Sequence, residues 1–530
     1  LFKNLKKFEK VNKNIFLICI DGWRYDSIDR SGIPKKSIPN ITKLINDGIK
    51  KKIISNGIFT QVAFPTVLTQ TYPLDYDGHN FGIKNRPRSF IELLKKDGYE
   101  TNFIAAAHIT GPLRYYERGS DNILNLCDHK SFIEMYLRQY LDHEIKLFLK
   151  KKIKKNKFLE KFKETYGDIL DYAMNDNIRS GSMPKNLGKI NKNLKKKLSR
   201  EKEILYKDPE LILKKITAVP TNFYFYFIGE KLIQKNLFLK AKIFESFKSK
   251  INKITTAIST NISIRGYKFF PNYSVPSAEE IFKNTLEIIK KRKTKKKFTF
   301  IHLMDAHHSE GPGRISQTIK FLKFLPRFLK NNYNFPRGLF YDLALIYIDQ
   351  EIGKFIKKLK KERLYRDSIF ILFGDHGFGR DLNRDKHMVS ELGLRGYYEH
   401  INVPIVVSPI KNLKLSKEGL HDTMSVSATI LDLLKIRKHH SFLGKSVSKK
   451  GNSFIITEST SGGNCDILNK KIFFIITGTR YKLMVSYFKK KIEPLRLYDL
   501  LNDPREMNNL INIKSFNKEL NKMINYLKKK

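Results

Sequence analysis

Apolar residues along the chain follow two rhythms. Continuous apolar runs occur at Asn14–Ile20 (NIFLICI), Phe298–Leu303 (FTFIHL), Ser368–Phe373 (SIFILF) and Val403–Val407. Such runs predict strands buried on both faces, and Asn102–Ala106 reads as a further strand. Between them lie segments with helical period. They are Pro39-Asn40 followed by ITKLINDG, Ser89–Gly98, Ile281–Lys293 and Tyr341–Lys361. Polar residues or proline open several of these, and glycine closes the first two. The alternation predicts an α/β fold with a mostly parallel central sheet and helices on both faces. From Ser453 the pattern changes to short runs (SFIITEST, KIFFIITGTR, YKLMVSYF). These predict a small antiparallel sheet packed with a final helix at Asn517–Leu527.

The α/β rhythm breaks between about Thr110 and Ala278. That stretch is rich in Lys, Asn, Phe and Tyr, and Met183 to Arg200 contains no acidic residue. It reads as a largely helical, Lys-rich insertion with a mobile basic segment. The expected organisation is a catalytic α/β domain over residues 12–450, interrupted by the insertion at 110–278. A C-terminal subdomain would follow over 451–530.

Composition narrows the classes. Of 530 residues, 101 are Lys or Arg and 52 are Asp or Glu, a formal balance of +49. Hydrophobic residues make up 41%, enough for large buried cores and incompatible with a disordered chain. The lysines lie mostly among Asn, Ile and Phe, as a general bias would place them, and no nucleic-acid motif appears. The charge nevertheless attracts polyanions such as phosphorylated or sulfated glycans and anionic lipid head groups. The three cysteines, Cys19, Cys127 and Cys465, form no CxxC, so neither a zinc knuckle nor a disulfide framework is indicated. No apolar run approaches the roughly 20 residues of a membrane span. The opening LFKNLKKFEK has no signal-peptide core, so the expectation by default is a cytoplasmic chain.

Three of the predicted strands run into acidic groups, at Asp21, at Asp305 and at Asp375-His376. In a parallel sheet these carboxyl ends share one edge, where open α/β sheets hold ligands. Hard carboxylates with imidazole are what a divalent cation requires. A lone Asp after a strand is commonly a helix cap, whereas the Asp375-His376 pair, with His387 downstream, is a stronger signal.

The segments IDGWRYD, IFTQVAFPTVLTQTYPLDYDGHN, FIHLMDAHH and ILFGDHGFG resemble, in this order, the sulfatase branch of the alkaline-phosphatase superfamily. YIDQEIGKFIKKL, YYEHINVPIVV, SVSATILDLLKI and LRLYDLLNDPREMNNL resemble further segments of that family. The resemblance spans most of the chain outside the insertion. It implies a metal-dependent hydrolase that cleaves a sulfate or phosphate ester through a covalent intermediate.

Family sulfatases carry Cys or Ser in a Cys/Ser-x-Pro-x-Arg motif, which is absent here. Leu68-Thr69-Gln70-Thr71-Tyr72-Pro73 resembles the family's Leu-Thr-Gly-x-Tyr-Pro, and family spacing then puts Thr60 at the nucleophile. A shifted register would instead place Ala63 or Thr66 there. A threonine nucleophile resembles the phosphodiesterase, phosphonate hydrolase and phosphoethanolamine transferase relatives. The resemblance further implies that Asp21, Thr60, Asp375 and His376 bind one divalent ion. Oxygen-rich ligation favours calcium, magnesium or manganese, and the histidines admit zinc. His307 would contact the ester or protonate the leaving group, His387 would contact substrate or metal, and Arg395 would neutralise the transferring group. His302 reads as a structural strand residue, and Asp305 as a supporting partner or a ligand of a second ion. Gly22 stands where classical sulfatases have a second aspartate, which favours the phosphoester-cleaving relatives. Two alternatives stand beside the hydrolase: a phospho-group transferase to a glycan or lipid hydroxyl, and an inactive anion-binding relative.

Overall fold

The computed structural model describes residues 13–29, 37–76, 78–80, 82–106, 110–111, 114–125, 133–134, 137, 141–174, 178–180, 191–231, 233–261, 263–264, 267–268, 276–290, 296–307, 337–378, 396–410, 414–460 and 471–530. The chain divides into two compact units. The first comprises Leu1–Ile104, Ile109–Asp121 and Pro276–Lys530, and the second Ala105–His108 and Asn122–Val275. The residues from 451 onward cluster within the first unit.

In chain order, the first unit opens with β1 (Asn14–Ile20), α1 (Pro39–Asn46), β2 (Ile49–Ile54), α2 (Thr60–Thr69), α3 (Phe90–Lys96) and β3 (Glu100–Ala105). The second unit supplies β4 (Asn122–Asn125), α4 (Asp142–Leu149), α5 (Lys155–Ala173), β5 (Ile178–Ser180), α6 (Lys192–Lys207), α7 (Pro209–Thr217) and α8 (Lys235–Asn261). The first unit resumes with α9 (Ala278–Ile289), β6 (Lys297–Leu303), α10 (Arg337–Lys361), β7 (Ser368–Phe373), β8 (Asn402–Ser408) and α11 (Met424–Leu434). It closes with β9 (Ile455–Thr460), β10 (Ile472–Thr477), β11 (Tyr481–Phe488), β12 (Lys491–Asp499) and α12 (Asn517–Lys528).

Within the first unit the main sheet runs β2-β8-β7-β1-β6-β3. β7, β1, β6 and β3 are mutually parallel, whereas β8 runs antiparallel to both β7 and β2. The apolar runs explain the centre: Ile15 to Ile20 are all buried, as are β6 and β7 along their whole length. β2, IKKKII, escapes the periodicity because its lysines are only partly covered at the sheet edge. β9 to β12 form the expected separate antiparallel sheet, with Met523 and Leu527 of α12 in its apolar cluster.

Helix starts are fixed by partners. Ser89 and Glu92 form a reciprocal capping box at α3. For α1 the cap comes from α10: Asp349 accepts from the Ile41 N–H at 2.7 Å and from Asn40 Nδ2 at 2.9 Å. The second unit is largely helical, in keeping with its Lys-rich amphipathic pattern. Of the acid-free stretch 183–200, residues 183–190 lie outside the described residues, and from Lys192 the chain is α-helical, with Leu198 and Leu205 on its buried face.

Candidate metal centre and nucleophile

Strand register builds the site. β1 lies between β6 and β7, with Cys19 level with His302 on one side and with Phe373 on the other. Asp21 and Asp375 follow Cys19 and Phe373 at the same offset, so the pleat carries them to matching places on one edge. Gly22 turns the chain with φ +74°, a left-handed conformation that glycine adopts without penalty. The glycines of GDHGFG serve close backbone packing: a Cβ at Gly374 would strike the Trp23 carbonyl, and one at Gly377 the Glu399 carbonyl.

Thr60 is the first residue of α2 and is 6% exposed. Its Oγ1 donates to Asp21 Oδ2 at 3.0 Å and lies 3.2 Å from His376 Nε2. The helix N-terminus behind it favours negative charge at that position. The two other register candidates lie elsewhere. Ala63 is buried within α2, and the Thr66 hydroxyl donates to the Ala63 carbonyl at 2.6 Å and contacts Thr423 Oγ1 at 2.7 Å.

His376 Nε2 is 3.2 Å from Asp21 Oδ1 and 3.7 Å from Asp375 Oδ2. Its Nδ1 is 2.7 Å from the Gly377 carbonyl, which can only accept. That bond holds the proton on Nδ1 and turns Nε2 toward the carboxylates, the arrangement of a metal-binding imidazole. His302 Nε2 also reaches Asp21 Oδ2, at 3.2 Å. The residue read as a structural strand histidine thus braces the Asp21 carboxylate. The ring of His307 stands 5.8 Å from that of His376, at 82°. One ligand atom each of Asp21, His307 and His376 lie within 4.8 Å of one another.

Burial sets the electrostatics. It disfavours the charged His376 imidazolium, yet the Asp375 carboxylate and the bond and charge of Asp21 lift its pKa to about 9. Burial also works against the Asp21 carboxylate, but His307, His302 and His376 hold it well below the usual range. Burial and the Asp21 charge raise Asp375. Asp375 Oδ2 and Asp21 Oδ1 are buried without a hydrogen-bond partner. Two such oxygens gathered around one imidazole nitrogen fit a divalent cation, which would supply the missing coordination. Asp21, Asp375, His376 and the Thr60 hydroxyl are the residues that would hold it.

Asp305 does not join this group. It accepts from the Ala278 N–H at 3.1 Å at the start of α9, and burial pushes its pKa up to about 7. His387 and Arg395 lie outside the described residues. Tyr341 carried no sequence signal. Its hydroxyl donates to the Gly22 carbonyl and accepts from the Arg24 N–H, both at 2.9 Å, and so fixes the turn after Asp21.

Comparison with known proteins bears on this arrangement. A family model described as Sulfatase matches residues 13–168 and 236–436, more than half of the chain. Lipoteichoic acid synthase 2 of Bacillus subtilis (strain 168) is 30% identical over 138 residues. That match covers 23% of this chain and 21% of the length of that curated relative. Among solved structures, a 2-O GAG sulfatase superposes with a TM-score of 0.54 at 11% identity, over 98% of this chain and 91% of its own. A 4S-sulf protein, described under glycosaminoglycan metabolism by Bacteroides thetaiotaomicron, gives 0.51 at 13% identity, over 97% and 94%. At these identities the superpositions show the fold. No helix among the described residues is long and apolar enough to cross a membrane.

Proposed function

Since the chain belongs to the sulfatase family, we propose that it is a metal-dependent enzyme that cleaves a sulfate or phosphate ester by attack of Thr60. The observation that carries this is the Thr60 hydroxyl at 3.0 Å from Asp21 and 3.2 Å from His376, at a helix N-terminus.

A bound divalent cation would lower the hydroxyl's pKa and offset the charge of the ester oxygens. The chain's own residues do the rest. Asp21 accepts the Thr60 hydrogen bond and orients its oxygen lone pairs for in-line attack. The Thr60 hydroxyl gives up its proton to solvent, and a bond forms from Oγ1 to sulfur or phosphorus as the bond to the leaving oxygen breaks. His307, beside His376, gives a proton to that oxygen. Water then attacks the Thr60 ester, which restores the hydroxyl and releases sulfate or phosphate. His307 recovers its own proton from the water that attacks in this second step. The substrate on this reading is an anionic ester of a glycan or a lipid head group. Residues 12–450 outside the insertion would form the catalytic domain, and 451–530 its C-terminal subdomain.

A transferase is the second reading, favoured by the local match to a lipoteichoic acid synthase. There a sugar or lipid hydroxyl would replace water in the second step. Assays of purified protein with manganese, zinc, calcium or magnesium separate the readings. A hydrolase turns over an aryl phosphate monoester, phosphodiester or sulfate continuously with metal alone. A transferase gives one burst of aryl alcohol and resumes on addition of glycerol or a sugar acceptor. Metal-dependent binding without release of aryl alcohol from any ester would overturn both.

A further inference from the structure

Among the described residues of the second unit, five of the seven exposed large hydrophobic residues lie on one helix, the others being Leu149 and Tyr206. Leu237, Leu239, Ile243, Phe244 and Phe247 of α8 are 37%, 56%, 60%, 57% and 62% exposed. Leu239, Ile243 and Phe247 recur every fourth residue and therefore stack on one side of the helix, with Phe244 and Leu237 beside them. Opposite this stripe the helix is anchored: Ala241 is buried, Phe238 packs edge-on against Phe223 at 5.6 Å, and Glu245 accepts from the Tyr226 hydroxyl. The helix thus already has a packed side, and the apolar stripe is its other side.

Cations accompany the stripe. Lys240 and Lys250 fall within it at helical spacing, Lys235 and Lys242 border it, and all four are exposed. A lysine on an apolar face lays its methylene stem among the hydrophobic groups and extends its ammonium outward. A protein partner's apolar patch would leave these ammonium groups without a counter-charge. An anionic bilayer offers acyl chains for the stripe and phosphates for the lysines, in that order of depth.

We propose that α8 is an interfacial helix that seats the protein on an anionic lipid surface. Leu239, Ile243, Phe244 and Phe247 enter the acyl boundary, and Lys235, Lys240, Lys242 and Lys250 meet the phosphates. The helix lies in the plane of the interface and does not span it. This assignment is independent of the chemistry at Thr60.

The test is co-sedimentation of the full chain with vesicles of phosphatidylglycerol and phosphatidylcholine, or of phosphatidylcholine alone. Binding is expected to the anionic vesicles. The triple variant Leu239→Ser, Ile243→Ser, Phe247→Ser keeps every charge and is expected to lose partitioning by roughly a hundredfold. Ile243→Trp is expected to give a blue-shifted tryptophan signal, quenched by brominated lipid, only with anionic vesicles. The native Trp23 is 1% exposed and supplies a constant background. Equal vesicle binding by the triple variant and wild type would overturn the proposal and leave net charge as the sole cause. So would a dimeric wild type that the triple variant turns monomeric without vesicle binding by either, because a second copy would then be the occupant.

Discussion

The two units each bury a charged cluster, and they complete it in opposite ways. In the second unit, Glu201 on α6 is 0% exposed and Lys215 on α7 is 3%. Both Glu201 oxygens are occupied. One meets Lys215 Nζ at 3.1 Å and the Gly229 N–H at 2.8 Å, and the other accepts from the Tyr224 hydroxyl. In the first unit, Asp21 and Asp375 are equally buried, yet each keeps an oxygen with no well-formed hydrogen bond, both sharing the one His376 imidazole at 3.2 and 3.7 Å. A cluster that completes itself holds helices together. A cluster left with buried acceptors has a place for something from outside. Burial of charge alone therefore does not mark a functional site, and the two clusters differ in how their carboxylate oxygens are completed.

The sharpest way to break this comparison is at the nucleophile. Thr60→Ala is expected to lower ester turnover at least about a thousandfold with the fold intact by circular dichroism. Thr66→Val should leave kcat/KM close to wild type and cost about 1 kcal/mol in a denaturant titration, through loss of its two hydroxyl contacts. Equal losses of activity in the two variants would move the nucleophile.

Next comes the self-completed cluster. Lys215→Met strands a buried Glu201 carboxylate and should destabilise the chain by about 3–5 kcal/mol, measured by urea unfolding. Asp375→Asn should behave in the other sense. It removes a carboxylate already strained by burial and by the Asp21 charge. Without metal, its melting temperature should equal or exceed that of wild type. The rise in melting temperature on adding a divalent cation should disappear in this variant. A large loss of metal-free stability in Asp375→Asn would erase the contrast between the clusters.

The smallest effect is in pH. Without a cation, the charged His376 is stabilised by two carboxylates, and its pKa is raised to about 9. A raised pKa contributes stability that is present below the ordinary histidine value, roughly 6.5, and is lost as pH rises through about 9. The metal-free melting temperature should therefore fall across that window. A cation must displace the His376 proton, so its apparent affinity should rise over the same window. A titration calorimetry series from pH 6 to 9 with a flat affinity would contradict the assignment of His376 as a ligand.

Much of this was legible in the sequence, for identifiable reasons. Strands buried on both faces leave uninterrupted apolar runs, so Asp21 and Asp375 stood out at the ends of NIFLICI and SIFILF. Thr60 was reached through the register set by Leu68-Thr69-Gln70-Thr71-Tyr72-Pro73, because a lone threonine has no periodic signal. His302 is buried in its strand as read, but its approach to Asp21 was not legible because the two lie far apart in sequence. Tyr341 and the Asp349 cap on α1 were invisible for the same reason. Asp305 carried the same strand-end signature as Asp21, but only coordinates place Ala278 against it. β2 was hidden by three consecutive lysines at a sheet edge.

The most direct measurement is the site of the covalent intermediate. The protein would be mixed with metal and an aryl phosphate or sulfate, quenched in acid and mapped by peptide mass spectrometry. The account predicts one added phosphoryl or sulfuryl group on the peptide bearing Thr60, with fragment ions assigning it to that residue and none in Thr60→Ala. An adduct on Thr66, or steady turnover by Thr60→Ala, would contradict it.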